Sequence, residues 1–318
     1  MTPRVDSVVA FGASAGGVEA LGSVLGSLPP DLGACVLVVL HRPSSPPSRL
    51  ARILGRRTCL PVQDAHDRQP LEENRVFLAP PDRHLLVEDG RLRVVRGPHE
   101  NGDRPAIDPL LRSAAVAFRE RTVAVILTGS LDDGAAGTIA VTHAGGRVLV
   151  QDPAEAAFPS MPRSAIAADS PYAVLPLDKL GAAVVDALHA QPAAGPDMHE
   201  HPATDEEAGD PVFSCPSCGG VLREVASSDE LPHFRCRIGH RFGVESLLAA
   251  QSEALDGSLA AAVRALEERA ELARRTSRRF RESGFAEHAA RHDAIAAESK
   301  HDAATIRNVL LNRGADRD

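Results

Sequence analysis

Residues 8–17 read VVAFGASAGG, and this stretch decides the fold of the chain. A short apolar run, a cluster of small residues and the apolar spacing of a helix follow one another, which predicts a strand, a tight turn and a helix. Ser14 lies in the turn, where glycines on both sides let the backbone bend and expose the hydroxyl. On this stretch alone a nucleophilic serine and a serine that only caps the helix remain equally open. A dinucleotide-binding turn is less favoured, because Ser14 replaces the second glycine of G-x-G-x-x-G.

The same alternation of strand and helix continues along the chain. Residues 34–40 and 122–127 are continuous apolar runs, typical of strands that are buried on both faces. Shorter runs predict strands near 75–81, 147–151 and 173–175, and residues 84–95 predict a β-hairpin. We therefore predict an α/β fold: a doubly wound, mainly parallel sheet with helices on both faces and one hairpin.

Composition limits the class of protein. The chain has 318 residues, a formal net charge of −8 and 43% hydrophobic residues, which predicts ample core and argues against nucleic acid as a partner. No apolar run is long enough to span a membrane, so no membrane insertion is expected. Five cysteines without a secretion signal favour a reducing compartment, and we predict a cytoplasmic protein.

Changes in composition along the sequence predict four separate regions. An α/β domain is expected at 1–189, and residues 190–211, with six acidic residues and no Lys or Arg, predict a flexible acidic linker. A small cysteine-containing segment is expected at 212–243. Amphipathic spacing then predicts a helical hairpin at 244–314, broken at Gly284 and open to completion by a second copy of the chain.

The cysteine segment has the spacing of a metal site. Cys215 and Cys218 form a C-x-x-C pair, and Cys236 precedes His240 by four positions, which gives a Cys₃His set. We favour structural zinc over a metal-free relic of such a site, and His233 is a less well placed alternative ligand. The set leaves no open coordination position, so no cofactor is expected to take part in catalysis.

Three residues that could form a catalytic triad each follow an apolar strand. Ser14, His41 and Asp133 come after the runs at 8–11, 34–40 and 122–127. A histidine can take the proton of a serine near neutral pH, and a carboxylate fixes the imidazole tautomer. The order Ser, His, Asp excludes the usual α/β-hydrolase, in which the acid precedes the histidine.

Several ordered motifs resemble the catalytic domain of the chemotaxis protein-glutamate methylesterases (CheB type) over residues 8–185. The matching stretches are GASAGG at 12–17, His41 with Pro43, LAPPDRH at 78–84, RPAID at 104–108, LTGSLDDGAAG at 127–137, and QDP with FPSMPR within 151–163. Members of that family often carry an N-terminal receiver domain. Because the resemblance begins at residue 8, we expect no receiver domain in this chain.

The resemblance implies roles for individual residues. Ser14 is the implied nucleophile, His41 the base and Asp133 the orienting acid, since the family's aspartate directly precedes a glycine. Asp132 competes for that role and is otherwise a turn or helix-cap residue. The helix after Ser14 directs its first N–H groups toward the serine, and we expect the oxyanion and substrate site at Ala15, Gly16, Ser130 and Arg163. The family often has Met-Gly where this chain has Ser130-Leu131. Arg163 is open to two interpretations, a side chain that guides an acidic substrate segment and a solvated arginine.

The expected function is that of a serine hydrolase that demethylates glutamate methyl esters on a chemoreceptor or similar helical signalling protein. Deamidation of glutamine would proceed through the same acyl-enzyme. A separate receiver protein is a further expected partner. The alternative is a non-catalytic signalling adaptor, in which the sheet domain binds a partner and the C-terminal region mediates interactions.

Overall fold

The computed structural model describes residues 5–42, 49–190, 208–225 and 232–315. It divides into two compact units, residues 1–247 and residues 248–318. Within the described residues, none of the helices combines the length and apolar character that a membrane-spanning segment needs.

A seven-stranded parallel sheet forms the centre of the first unit. The strand order is β3-β4-β2-β1-β7-β8-β9, so that β1 lies between β2 and β7. The strands are β1 (Val8–Ala13), β2 (Cys35–Leu40), β3 (Val62–Asp64), β4 (Arg75–Leu78), β7 (Thr122–Ile126), β8 (Arg147–Gln151) and β9 (Ala173–Leu175). Every residue of β1, β2 and β7 is buried, as expected for strands that are covered on both faces.

Helices cover both faces of this sheet, and each face has its own apolar core. One core joins the sheet to α1 (Gly17–Gly26), α2 (Leu50–Leu54) and α6 (Leu177–His189). The other joins it to α3 (Ile107–Phe118), α4 (Ala135–His143), α5 (Ser160–Ala168) and the hairpin of β5 (His84–Glu88) and β6 (Arg91–Val95). The prediction of a doubly wound α/β fold with a hairpin is therefore confirmed.

A second, antiparallel sheet contains the cysteines. Its strands β10 (Ala208–Ser214), β11 (Val221–Val225), β12 (His233–Cys236) and β13 (Arg241–Gly243) pair in chain order. We call residues 208–247 the cysteine segment. It belongs to the first compact unit, together with the parallel sheet.

Two long helices, α7 (Val244–Glu282) and α8 (Ala286–Ala315), make up the second unit from residue 248 onward. Small buried residues recur at steps of seven on each helix, which lets the helices pack closely and antiparallel. They are Val263, Ala270 and Ser277 on α7 and Ala289, Ala296 and Ala303 on α8. Ion pairs such as Arg313–Asp256 and Arg281–Asp293 join the two helices at opposite ends of the hairpin.

The structure differs from the sequence prediction in several details. The large sheet is wholly parallel, and β3, α5 and α6 were not predicted. β3 is only three residues long, which is too short to show a period. The predicted linker falls mostly on residues 191–207, which lie outside the described residues. The two compact units meet at residue 247, so the start of the first long helix belongs with the sheets.

Candidate active site and cysteine cluster

The ends of three parallel strands bring the predicted triad residues to one edge of the sheet. Ala13 is level with Leu40 across the β1–β2 pair, so Ser14 and His41 leave the sheet side by side. β7 pairs with the other side of β1, and the turn that follows it carries Asp133. The chain runs outward in opposite directions from β1 and β7, and ligands of open α/β sheets bind at such a switch point.

Ser14, His41 and Asp133 form a hydrogen-bonded chain. His41 Nδ1 lies 3.1 Å from Ser14 Oγ, and His41 Nε2 lies 2.7 Å from Asp133 Oδ2. Asp133 can only accept, so the neutral imidazole carries its proton on Nε2 and leaves Nδ1 free to accept from the serine. The arrangement can therefore remove the proton from Ser14 Oγ.

The carboxylate of Asp133 is buried and fully hydrogen-bonded. Besides His41, it accepts bonds from Ile107 N (2.6 Å), Asp108 N (3.2 Å) and Asn101 Nδ2 (2.9 Å). The two backbone donors lie at the start of α3, where the helix dipole favours a negative charge. Burial works to raise the pKa of Asp133, but His41, the Ile107 N–H and the Asn101 amide together lower it. Asp133 therefore stays ionised next to the imidazole.

A second buried carboxylate, Asp108, lies beside Asp133. It accepts from Gly137 N at 2.7 Å, at the start of α4, and from Asn101 Nδ2 at 2.9 Å. Burial, reinforced by the charge of Asp133, raises the pKa of Asp108 to about 7. Asn101 thus lies between two carboxylates and donates to both of them.

The charge state of His41 is set by these neighbours. Burial works to lower the pKa of the imidazole, but the hydrogen bond to Asp133 and the charges of Asp133, Asp103 and Asp108 outweigh it, and the pKa is raised from 6.5. Asp103 Oδ2 lies 3.2 Å from His41 Nδ1, the nitrogen that also faces the serine. The imidazolium formed during a reaction would therefore have carboxylates at both of its nitrogens.

The turn that carries Ser14 is braced by Thr128. Ser14 N donates to Thr128 O at 3.0 Å, and Thr128 Oγ1 donates to Ala15 O at 3.0 Å. Gly16 has a φ of +73°, a conformation that favours glycine, and α1 begins at the next residue. Ala15 and Gly16 therefore lie at the N-terminal end of α1, where backbone N–H groups can hold an anion.

The turn after β7 packs directly against the serine. A Cβ added to Gly129 would lie 2.9 Å from Ser14 Cβ and 2.6 Å from Met161 Cε, so only glycine fits there. Ser130 is exposed, and Leu131 has a φ of +64°, which is unusual for a leucine. Arg163, on α5, is exposed, and it takes no part in the hydrogen bonds between Ser14, His41 and Asp133.

The two adjacent aspartates of this turn face different elements. Asp133 contacts His41, whereas Asp132 accepts hydrogen bonds from Glu245 N at 3.1 Å and Ser246 N at 3.2 Å. Both donors lie in the first turn of α7, so Asp132 caps that helix. The sequence alternative of a helix-cap role for Asp132 matches this position, although the capped helix lies more than 100 residues further along the chain.

The four predicted metal ligands also come together. One ligand atom from each of Cys215, Cys218, Cys236 and His240 lies within 4.8 Å of the others. We call these residues the Cys₃His cluster; His233, the alternative ligand, lies on β12 and is not one of the four. Tight turns at Gly219 and Gly239, both with positive φ, fold the two halves of the cluster.

Two distances between ligand atoms of this cluster fit a tetrahedral metal ion. The Cys218 Sγ to Cys236 Sγ distance is 3.7 Å, and the Cys236 Sγ to His240 Nδ1 distance is 3.5 Å. Metal–ligand bonds of about 2.3 Å to sulfur and about 2.0 Å to nitrogen, at tetrahedral angles, give edges of about 3.8 and 3.5 Å. The cluster could therefore bind a zinc ion.

Sequence reasoning did not identify Asn101, Asp103 or Thr128, and it included Arg104 and Asp108 only as part of the RPAID stretch. In the structure, Arg104 forms an ion pair with Asp82, with Nε 2.8 Å from Oδ1. Asn101 lies in an N-G pair, a signal that predicts a turn but not what the side chain contacts.

Comparison with known proteins adds to this geometry. The model of the CheB methylesterase family matches residues 9–184. A protein-glutamate methylesterase/protein-glutamine glutaminase of Paramagnetospirillum magneticum is 38% identical over 184 residues, which cover 56% of this chain and 48% of that protein. A putative protein of the same name from Leptospira interrogans is 35% identical over 173 residues, 54% of this chain and 90% of that protein.

A solved structure is similar as well. The catalytic domain of the CheB methylesterase of Thermotoga maritima superimposes with a TM-score of 0.54 and 32% identity, over 57% of this chain and 97% of that chain. The chain thus spans about half the length of the Paramagnetospirillum relative but almost all of the solved catalytic domain. The region that the family model matches, residues 9–184, holds the parallel sheet.

Proposed function

The chain belongs to the CheB methylesterase family, and from that premise we propose that it is a serine hydrolase for methyl esters of protein glutamate side chains. The single observation that carries the proposal is the chain of contacts from Ser14 through His41 to Asp133 at the switch point of the sheet. Relatives named protein-glutamate methylesterase support the same class of reaction.

In the proposed reaction, Ser14 Oγ attacks the ester carbonyl while His41 Nδ1 takes the serine proton. Asp133 stabilises the imidazolium through Nε2, over the 2.7 Å contact. Backbone N–H groups at the start of α1, including those of Ala15 and Gly16, hold the oxyanion. The imidazolium returns its proton to the methoxide, and methanol leaves an acyl-enzyme on Ser14.

Water then completes the cycle. His41 accepts a proton from the water that attacks the acyl-enzyme, and the released serine oxygen takes the proton back. The product is a glutamate carboxylate. A glutamine amide would give the same acyl-enzyme with ammonia as the leaving group, so we extend the proposal to deamidation, as in the names of the relatives.

The substrate we propose is a methylated chemoreceptor or a similar helical signalling protein, and a separate receiver protein is a proposed regulator. Ser130 and Arg163 are exposed near this edge of the sheet, and we assign them to substrate contact, with Arg163 guiding an acidic segment. The adaptor alternative has no support from the relatives, which carry names of enzymes. A cytoplasmic location, and a homo-oligomer through the C-terminal helices, stay predictions.

We propose a structural zinc ion for the Cys₃His cluster. Support comes from two distances between ligand atoms, Cys218 Sγ to Cys236 Sγ and Cys236 Sγ to His240 Nδ1, which are close to the edges of a zinc tetrahedron. Four protein ligands also leave no position for a substrate. The ion would hold together the ends of the small antiparallel sheet, and catalysis is assigned to the side chains of the triad alone.

Methanol release from a methylated receptor fragment and from a small methyl ester tests the proposed function. Ser14→Ala and His41→Ala should each remove nearly all turnover, and the double variant should be little worse than either single one, because triad residues act as a unit. Both variants should melt close to the wild type. Turnover that persists in a folded Ser14→Ala protein would refute the assignment of the nucleophile.

A further inference from the structure

The loop of residues 99–103 lies between the cysteine segment and the triad. On one side its backbone pairs with β13: Asn101 N donates to Arg241 O at 2.8 Å, and Arg241 N donates to His99 O at 3.3 Å. On the other side Asn101 Nδ2 reaches Asp133, and Asp103 lies beside His41. The loop therefore contacts both the antiparallel sheet of the cysteine segment and the other two residues of the triad, His41 and Asp133.

We propose that Asn101 is a positioning residue through which the docked cysteine segment holds Asp133 in place for the reaction. This inference rests on the proposed function of the triad. It assigns to the cysteine segment, which lies outside the matched family region, a direct part in the geometry of the active site.

The hydrogen bonds of the Asn101 amide carry the argument. Its Oδ1 accepts from Gly243 N at 2.8 Å, and its Nδ2 donates to Asp133 Oδ1 and to Asp108 Oδ2, both at 2.9 Å. The side chain is 7% exposed, so water can hardly replace these partners. The bond from Gly243 fixes which end of the amide faces the carboxylates, since only the NH₂ end can donate to them.

A second contact between the same two regions lies next to the first. Asp132, the neighbour of Asp133, accepts from the backbone of Glu245 and Ser246, and Ser246 Oγ also donates to it. A Cβ added to Gly243 would lie 2.2 Å from Asp132 Oδ2, so the segment approaches this turn as closely as a glycine allows. The cysteine segment therefore acts on Asp133 through two neighbouring contacts, one with Asn101 and one with Asp132.

Two asparagines of this chain provide a matched pair of variants. Asn101 and Asn74 both have positive φ, and both accept a glycine N–H through Oδ1, but Asn74 accepts from Gly33 and has no part in the triad contacts. Asn→Gly keeps the backbone conformation at either position. On a small methyl ester, Asn101→Gly should lower kcat about 10- to 100-fold with little change in KM, because a misplaced catalytic group costs about that much. Asn74→Gly should leave both constants unchanged.

A variant on the other side of the contact tests whether the segment acts through Asn101. Gly243→Ala forces the segment away from Asp132 without altering any residue of the triad, and it should lower kcat about 3- to 10-fold. Gly257→Ala, whose added Cβ meets nothing within 4 Å, is its control. In the double variant, Gly243→Ala should cost less than about twofold beyond Asn101→Gly alone, since both changes break the same connection.

The outcomes separate this inference from the proposed function. Retained turnover in Ser14→Ala would overturn both. If Ser14→Ala is inactive but Asn101→Gly turns over like Asn74→Gly, only the role of Asn101 is overturned. If the costs of Asn101→Gly and Gly243→Ala multiply in full, the segment does not act through Asn101 and the proposal is likewise wrong. Should Asn101→Gly fail to fold, the kcat of Gly243→Ala against Gly257→Ala decides, and no difference between them overturns the proposal.

Discussion

Replacing one of two neighbouring aspartates by asparagine gives a sharp test of the triad. In Asp133→Asn, an amide oxygen at the Oδ1 position would still accept from Asp108 N and Asn101 Nδ2. This places the NH₂ group at the Oδ2 position, against His41 Nε2. That nitrogen would then have to accept, so the imidazole proton moves to Nδ1, the atom that faces Ser14. A protonated Nδ1 cannot take the proton of the serine.

The size of the effect follows from this change of tautomer. An asparagine at the acid position of a serine triad costs about 10⁴-fold in kcat, which corresponds to about 5 kcal/mol of transition-state stabilisation. Asp132→Asn differs, because Asp132 caps α7 and asparagine is about as good a cap as aspartate. One hydrogen bond to Ser246 weakens, so we expect kcat within about fivefold of the wild type and a stability loss of about 1 kcal/mol.

Methanol release from a small methyl ester, at saturating substrate and at a pH above the pKa of His41, measures both variants. Thermal melting shows that each is folded. If Asp132→Asn lost more turnover than Asp133→Asn, or if both lost the same, the assignment of the orienting acid would be refuted.

Three further predictions concern His41, Gly129 and the Cys₃His cluster. The pKa of His41 is raised above 6.5 and the base must be neutral, so kcat/KM should fall as the pH drops through a value above 6.5. Asp103→Asn removes a carboxylate near His41 Nδ1 and should move this acidic limb of the pH profile to lower pH. An unmoved limb would contradict the electrostatic effect of Asp103 on His41. Gly129→Ala should cost about 1–3 kcal/mol of stability and most of the turnover, because the new methyl group overlaps Ser14 Cβ. Calorimetry measures the stability and kcat the turnover. Wild-type values for both would contradict the close packing of Gly129 against Ser14. Protein purified without added metal should contain one zinc per chain by elemental analysis, and Cys218→Ser should lower that content; a value near zero in a folded protein would favour the metal-free relic.

Local patterns in the sequence predicted the class of fold. Apolar runs that end in polar turns predicted the strands before Ser14, His41 and Asp133, and the structure pairs those strands as neighbours, with β1 between β2 and β7. The Cys₃His cluster was equally predictable, because ligand spacing along a short segment nearly fixes the geometry of a knuckle. Short elements such as β3 carry too few residues to show a period, and they were missed for that reason.

The sequence by itself determined that a serine, a histidine and an aspartate would meet at one sheet edge, because each follows a strand and parallel strands end together. The resemblance favoured Asp133 over Asp132, but only the tertiary structure shows that Asp133 faces His41 while Asp132 faces α7. The side-chain directions of two adjacent turn residues depend on what packs around the turn. The same holds for Asn101, whose partner Gly243 lies 142 positions away. Contacts over such separations leave no periodic signal in the chain; they arise when two folded surfaces meet and buried polar groups must find partners.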